Sequence, residues 1–252
     1  IKVDDIYLKK LSKNFEDKLK RIEKKIYSIA GKEFNIASPK QLGEIIYNEL
    51  KIAKLKKTKK GGLATSANIL EDLALSGHEF PNLVLEWRQI SKLKNTYSDA
   101  LQGHISKKTK RVHTSFLLAA TNTGRLASSD PNLQNIPIKS DEGKEIRKAF
   151  IADKKNVLIS ADYNQIEMRI LADMADVKEL KKAFKNNEDI HSLTASQVFN
   201  VPINKVNEDL RRKAKTINFG IIYGITQYGL AKQISVSNQE ALDFINAYFK
   251  KF

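Results

Sequence analysis

The sequence contains no cysteine, which excludes disulfide bonds and thiolate metal sites. No run of apolar residues reaches the length of about 18 that a membrane-spanning helix requires, so we expect no segment that spans a membrane. The first residues also lack a cationic segment followed by an apolar stretch, which predicts that no signal peptide is present. These absences together fit a protein of the reducing cytoplasm.

Acidic residues are few relative to basic ones: 29 Asp and Glu against 44 Lys and Arg give a net charge of +15. This excess favours a polyanionic partner, with nucleic acid first and an anionic membrane second. Coding sequence rich in A and T enriches any protein in Lys, Asn and Ile. Charge alone therefore does not decide whether this protein binds nucleic acid. The 252 residues allow one or two domains with an apolar core.

The first hundred residues or so show the apolar periodicity of helices, beginning with a long charged segment at 6–29. Ser38 before Pro39 predicts one helix start, and Ser66 and Pro81 predict two more. Between these helices lies a run of basic residues: Lys51, Lys54, Lys56, Lys57, Lys59 and Lys60. This basic run could bind the phosphate backbone of a duplex, or it could simply be a loop exposed to solvent.

After about residue 105 the pattern changes from helix to strand and back. Strand-prone or strand-length apolar segments occur at 111–121, 149–151 and 157–161, with a turn-rich stretch at 121–137. Helical periodicity then continues from 165 to 252. Helices, a few strands and further helices predict an α+β fold in at least two parts.

A helix predicted from the N-cap Asn207 to about Tyr223 has two distinct edges. One edge is apolar: Leu210, Ala214, Ile217 and Ile221. The other carries two cations and two aromatics, one turn apart: Arg211, Lys215, Phe219 and Tyr223. A nucleoside triphosphate needs cations for its phosphates and a flat surface for its base at this spacing. The alternative is that the aromatics pack beneath another element, with the cations on its rim.

Asp162 stands where the predicted strand at 157–161 stops and a helix begins. A carboxylate held there on a rigid scaffold and open to solvent suits a Mg²⁺ ligand. Glu167, in the first helical turn, points toward the same cleft in this interpretation. Metal-assisted phosphoryl transfer needs at least two hard oxygen ligands, and only one convincing candidate is present, so a helix-capping role for Asp162 stays open.

Several segments resemble motifs of the family-A DNA polymerases, in the order of that family. Residues 160–169 (SADYNQIEMR) resemble its first catalytic motif, and 211–224 (RRKAKTINFGIIYG) resemble its nucleotide-binding O-helix. TGRL at 123–126 and DPNLQNIP at 130–137 resemble its minor-groove loop, and KLKNTY at 92–97 resembles its thumb helix. DIH at 189–191 is a further match.

This resemblance implies an α+β fold with a helical thumb at 1–105, a first palm segment with a small, incomplete antiparallel sheet at 106–178, and helical, partial fingers at 179–252. It implies a monomeric DNA-directed DNA polymerase, acting in replication or repair, that adds deoxynucleotides to a primer 3′-hydroxyl. Primer–template DNA and deoxynucleoside triphosphates would be its partners. Two Mg²⁺ ions would be its cofactors.

The resemblance also implies roles for single residues. Asp162 would bind both Mg²⁺ ions, with the Tyr163 carbonyl as a further ligand, and Lys215 would protonate the departing pyrophosphate. Glu167 would exclude the 2′-hydroxyl of a ribonucleotide. The full set of nucleotide-binding residues would be Gln165, Glu167, His191, Arg211, Lys215, Phe219 and Tyr223. The DNA-binding residues would be Lys92, Lys94, Arg125, Gln134, Asn135, Tyr223 and Gly224.

The main departure from the family is the lack of a His-Asp pair, which would supply its second catalytic carboxylate. The chain by itself is therefore expected not to polymerise. One alternative is a DNA-binding module without catalysis. Another is an RNA-synthesising relative, which Glu167 disfavours because a carboxylate there would obstruct the ribose hydroxyl.

Overall fold

The structure, a computed structural model, describes residues 1–58, 61–138 and 140–252. This part of the chain forms two compact units, Ile1–Ile159 and Ser160–Phe252. Lys59 and Lys60 of the predicted basic run lie outside the described residues. The functional division into thumb, palm and fingers remains a prediction.

The first unit is mainly helical. Its elements in chain order are β1 (Lys2–Val3), α1 (Asp5–Ala30), α2 (Pro39–Glu44), α3 (Ala67–Leu75), α4 (Glu79–Leu93), α5 (Ala100–Gly103), β2 (Ser115–Leu117), β3 (Ala127–Ser129), α6 (Asp141–Lys148) and β4 (Phe150–Ile151). Wider, π-helical turns extend α2 through Ile45–Glu49 and α4 through Lys94–Asp99. The predicted cap at Ser38 is confirmed, since its side chain accepts a hydrogen bond from the Gln41 amide.

The core of the first unit lies between α1 and α4. The buried residues of α1 include Leu8, Phe15 and Ile26, which share one edge of the helix, as the apolar spacing of 6–29 predicted. Ile90 of α4 and Ile146 of α6 are buried in the same cluster. Burial of these edges is what holds the helices in place, because short isolated helices are only marginally stable in water.

Two small antiparallel sheets accompany the helices of this unit. β1 pairs with β4, and β2 pairs with β3. The strand predictions at 111–121 and 149–151 are confirmed in part, since they contain β2 and β4. β1 and β3 span only two and three residues, too few to show the alternation that marks a strand.

The strand predicted at 157–161 is wrong. This segment is irregular, and the side chains of Val157 and Ile159 are 79% and 87% exposed. A strand forms only where its backbone N–H and C=O groups pair with those of a neighbouring strand. Within the described residues no strand pairs with this segment, so Asp162 stands on an irregular stretch rather than at a strand end.

The second unit is helical, as the periodicity from residue 165 onward predicted. Its helices are α7 (Ile166–Met174), α8 (Lys178–Lys185), α9 (Ile190–Val198), α10 (Glu208–Ile222), α11 (Gln227–Ile234) and α12 (Asn238–Lys251), with a 3-10 turn at Ile203–Lys205. Met168 and Leu180 are buried in one apolar cluster, and Ile217 and Leu230 are buried in another. Among the described helices of the whole chain, none has the length and hydrophobicity needed to span a membrane.

Helix α10 begins and ends where the sequence indicated. The Asn207 side chain accepts a hydrogen bond of 2.9 Å from the Leu210 amide, which caps the helix. Gly224, just past its end, adopts the left-handed conformation at φ +70° that favours glycine. Ala214 and Ile217 are fully buried and Leu210 and Ile221 are partly buried, which confirms the apolar edge at its centre.

Replacing the cap should destabilise the unit that carries α10. We expect Asn207→Ala to lower the free energy of unfolding by about 1 kcal/mol, because the Leu210 amide loses its acceptor. Urea denaturation measures this change. Asn238→Ala, at an exposed first-turn position of α12, is the matched control, and equal effects of the two substitutions would contradict the capping role.

Candidate active site

The predicted open edge of α10 remains largely accessible. Lys215 is exposed, Tyr223 is 62% exposed, and the Arg211 side chain is partly exposed. Phe219 is half-buried against the apolar cluster of Met168 and Leu180. The sequence left open that both aromatic side chains pack into the core. Phe219 does so in part, and Tyr223 does not.

An ion pair orients the first cation of this edge. Arg211 Nε donates to Asp189 Oδ2 at 2.5 Å, and the same carboxylate accepts from the His191 amide at 3.1 Å and from the Ser192 hydroxyl at 2.8 Å. Burial raises the pKa of Asp189, but the hydrogen bonds from Arg211 and Ser192 outweigh it and bring the pKa to about 2. The carboxylate is thus ionised at neutral pH and holds the guanidinium at the start of α9.

His191 lies inside the unit, next to the open edge. The residue is 3% exposed, and the ring centroids of His191 and Phe219 are 5.9 Å apart. Burial lowers the pKa of His191, and the positive charges of Arg211 and Lys215 lower it further, against the opposing effect of Asp189. The imidazole is therefore neutral at physiological pH.

The far end of the open edge is hydrogen-bonded to the segment that carries Asp162. The Tyr223 hydroxyl donates to Glu167 Oε2 in the first turn of α7. Asp162 and Tyr163 are exposed just before this helix. Gln165 adopts the left-handed conformation at φ +52°, and its buried Oε1 has no hydrogen-bond partner within the described residues. The structure thus brings the aromatic end of α10 to the carboxylate segment.

The residues before α7 fit part of a magnesium site. Asp162 offers an accessible carboxylate and Tyr163 a neighbouring carbonyl, the hard oxygen ligands that Mg²⁺ prefers. Over residues 1–58, 61–138 and 140–252, no group of three or more His, Cys, Asp or Glu side chains is placed to hold a metal ion. These two oxygens would therefore be only some of the ligands of a metal pair.

The predicted DNA-binding residues of the first unit partly line one groove. This groove has a volume of about 940 Å³ and contains Lys92 and Asn135 among its lining residues. Its wall is fixed by the Tyr97 hydroxyl, which donates to the Asn135 carbonyl. Lys92 and the Asn135 side chain are exposed, so both are available to a ligand in the groove.

The other predicted DNA-binding residues differ in how available they are. Arg125 is exposed on the turn before β3. Gln134 is exposed but donates through Nε2 to the Leu126 carbonyl at 3.1 Å. Lys94 has a side chain only 19% exposed and forms an ion pair of 2.7 Å with Asp99. A phosphate contact by Lys94 would therefore require this ion pair to open.

Sequence reasoning missed two buried polar residues of the second unit. Asn218 and Thr194 are both fully buried, and they are hydrogen-bonded to each other and, through Asn218, to His191. The available signal was weak: Asn218 follows Ile217 on α10, so it falls near the edge that the apolar spacing predicted to be buried.

Comparisons with known proteins agree over the whole chain. Residues 5–252 match the model of the family described as DNA polymerase family A. DNA polymerase I of Rhizobium leguminosarum is 52% identical over 252 residues, covering 100% of this chain and 25% of the relative. DNA polymerase I of Geobacillus stearothermophilus is 46% identical over 253 residues, covering 100% of this chain and 29% of the relative.

A solved structure shows the same similarity. The POL domain of Pol1 from M. smegmatis, in complex with DNA primer-template and dNTP, has a TM-score of 0.88 and 39% identity. The match covers 100% of this chain and 44% of that chain. This chain spans 25% of the first of the two curated relatives and 29% of the second. The chain therefore belongs to DNA polymerase family A.

Proposed function

We propose that this chain forms the nucleotide-binding part of a DNA-directed DNA polymerase that extends a primer with deoxynucleotides. The hydrogen bond between Tyr223 and Glu167 carries this proposal, because it joins the open edge of α10 to the segment of Asp162. A nucleotide lying along α10 would have its phosphates at Arg211 and Lys215. Its base would then meet the aromatic end of the helix.

The charges on α10 suit a triphosphate. Within the described residues Lys215 makes no ion pair, so its ammonium is available to phosphate oxygens. Arg211 is already oriented by Asp189. The half-buried ring of Phe219 provides a fixed apolar surface for the base and sugar, while the exposed Tyr223 would occupy the template-base position until the helix moves.

The proposed reaction joins the primer 3′-oxygen to the α-phosphorus, with loss of the hydroxyl proton to solvent, and breaks the bond between that phosphorus and the bridging oxygen to the β-phosphate. When bound, two Mg²⁺ ions supply charge stabilisation to the attacking and leaving oxygens. Asp162 and the Tyr163 carbonyl would hold them. Lys215 would neutralise the departing pyrophosphate and give it a proton.

Activity is testable in a hybrid polymerase, in which this chain replaces the matching 29% of the Geobacillus stearothermophilus relative. Primer extension by the unaltered hybrid establishes the reference rate. Each substitution below is made in this hybrid and compared with that rate. If the hybrid folds and binds DNA but does not extend a primer, the proposed function fails and the DNA-binding module is favoured.

Glu167→Ala should weaken the exclusion of ribonucleotides. Removing the carboxylate beside the expected sugar position should raise ribonucleotide incorporation relative to deoxynucleotide incorporation by at least about tenfold, the scale of one small group in a binding pocket. Single-nucleotide incorporation assays measure the ratio. Tyr223→Phe is the matched control, because it removes the same hydrogen bond while retaining Glu167. Unchanged selectivity in Glu167→Ala would reject the proposed role of Glu167 in excluding the 2′-hydroxyl.

Binding of duplex DNA to the chain should weaken steeply with salt. We expect the affinity to fall roughly 10- to 100-fold between 50 and 200 mM salt, as two to four phosphate contacts would give. A fluorescence anisotropy titration measures it. Lys92→Ala should reduce the salt slope, whereas Lys178→Ala, which removes an exposed charge of the second unit, should not. An affinity for DNA that does not change with salt concentration would contradict contacts to the phosphate backbone.

A further inference from the structure

A buried polar chain links α9 to α10. The Thr194 hydroxyl donates to Asn218 Oδ1 at 3.0 Å, and Asn218 Nδ2 lies 3.0 Å from His191 Nδ1. Thr194 and Asn218 are fully buried, and His191 is 3% exposed. Buried polar groups of this kind need hydrogen-bond partners, because water cannot reach them.

The orientation of the Asn218 amide determines what His191 can do. The amide oxygen can only accept, and it is turned toward the Thr194 hydroxyl. The amide N–H therefore faces His191 Nδ1, which must offer a lone pair. In a neutral imidazole the single ring proton then lies on Nε2. We propose that Asn218, held by Thr194, is a positioning residue that fixes His191 in the Nε2–H tautomer.

This tautomer gives His191 a donor for an anionic ligand. Within the described residues Nε2 has no hydrogen-bond partner, so the ring makes its one hydrogen bond through Nδ1. Asp189, Arg211 and Lys215 are the charged groups that act on the ring. A neutral Nε2–H beside two cations can donate to a phosphate oxygen without adding a further positive charge. The phosphate contact rests on the proposed function, whereas the tautomer does not.

The tautomer can be measured in the unaltered chain without nucleotide. Long-range ¹H–¹⁵N NMR distinguishes a protonated ring nitrogen from one that carries a lone pair. We expect His191 to show a protonated Nε2 and an unprotonated Nδ1 at neutral pH. A spectrum with the proton on Nδ1, or an equal mixture of the two forms, would overturn the inference.

Two variants test the cause of the tautomer. Asn218→Asp replaces the donor with a carboxylate that only accepts, so it should move the proton to Nδ1 or protonate both nitrogens. Asn200→Asp makes the same charge change at an exposed position and should leave the spectrum unchanged. Thr194→Val keeps the shape but frees the amide, and should give a mixture of tautomers even where Asn218→Asp fails to fold. A purely Nε2–H ring in Thr194→Val would overturn the proposal.

Addition of a deoxynucleoside triphosphate separates this inference from the proposed function. If His191 contacts a phosphate, its Nε2 resonance should shift on saturation with dATP and Mg²⁺. A ring that is Nε2–H but unaffected by dATP would reject the phosphate contact and leave the role of Asn218 supported. A ring that carries its proton on Nδ1 would reject the role of Asn218 whatever the nucleotide does.

Discussion

Asp162→Asn is expected to lower the turnover of the hybrid polymerase by about 10³-fold or more, since a metal site supplies several kcal/mol of transition-state stabilisation and each 1.36 kcal/mol is tenfold in rate. Asparagine keeps the size of the side chain but loses the negative charge that a divalent cation requires. Single-turnover primer extension measures the rate of the chemical step.

The structure indicates that this substitution should change the rate of the reaction without changing the stability of the fold. Asp162 is exposed on an irregular segment and has no hydrogen bond or ion pair within the described residues, so its loss should leave the unfolding curve unchanged. Asp173→Asn, at a second exposed position of the same unit, is the matched control; within the described residues Asp173 pairs only with Lys181. A rate near that of the unaltered hybrid would contradict the metal-binding role.

Lys215→Ala is expected to lower turnover by about 10²–10⁴-fold, the range for losing a general acid and a fixed positive charge. Lys215 lies on the open edge of α10 one turn after Arg211, where the phosphates would pass. Lys213→Ala is the matched control, because Lys213 lies on the same helix but forms an ion pair of 3.0 Å with Asp209. Equal losses in both variants would contradict a specific role for Lys215.

Lys215→Arg separates the two roles given to this residue. Arginine keeps the positive charge, but its proton is not released at any accessible pH. We therefore expect triphosphate affinity to be largely retained while turnover stays low. Pre-steady-state kinetics separate the affinity from the rate. Full recovery of turnover in Lys215→Arg would show that charge alone suffices and that Lys215 is not the proton donor.

The parts of the site that sequence predicted well are those encoded locally. The cap at Asn207 and the two edges of α10 follow from residues within one helix, and helix geometry converts their spacing directly into position. Spacing alone left two possibilities for the aromatic edge, buried or open. The assignment of this edge to nucleotide binding came from the resemblance. The structure gives a divided result, with Phe219 half-buried and Tyr223 exposed.

The parts that sequence missed depend on neighbours distant in the chain. The segment at 157–161 has the composition of a strand, but a strand also needs a partner, and among the described residues it has none. The ion pair between Arg211 and Asp189 and the bridge from Asn218 to His191 both depend on how α9 packs against α10. No local pattern reports such packing.

A paramagnetic NMR experiment with Mn²⁺ and dATP tests most directly whether α10 and Asp162 form one nucleotide site. The metal–nucleotide complex broadens the resonances of residues near it. We predict that resonances of Lys215, Phe219 and Asp162 broaden together as the complex is added to the chain. Saturating complex that broadens only one of the two regions, α10 or the Asp162 segment, would contradict a shared site.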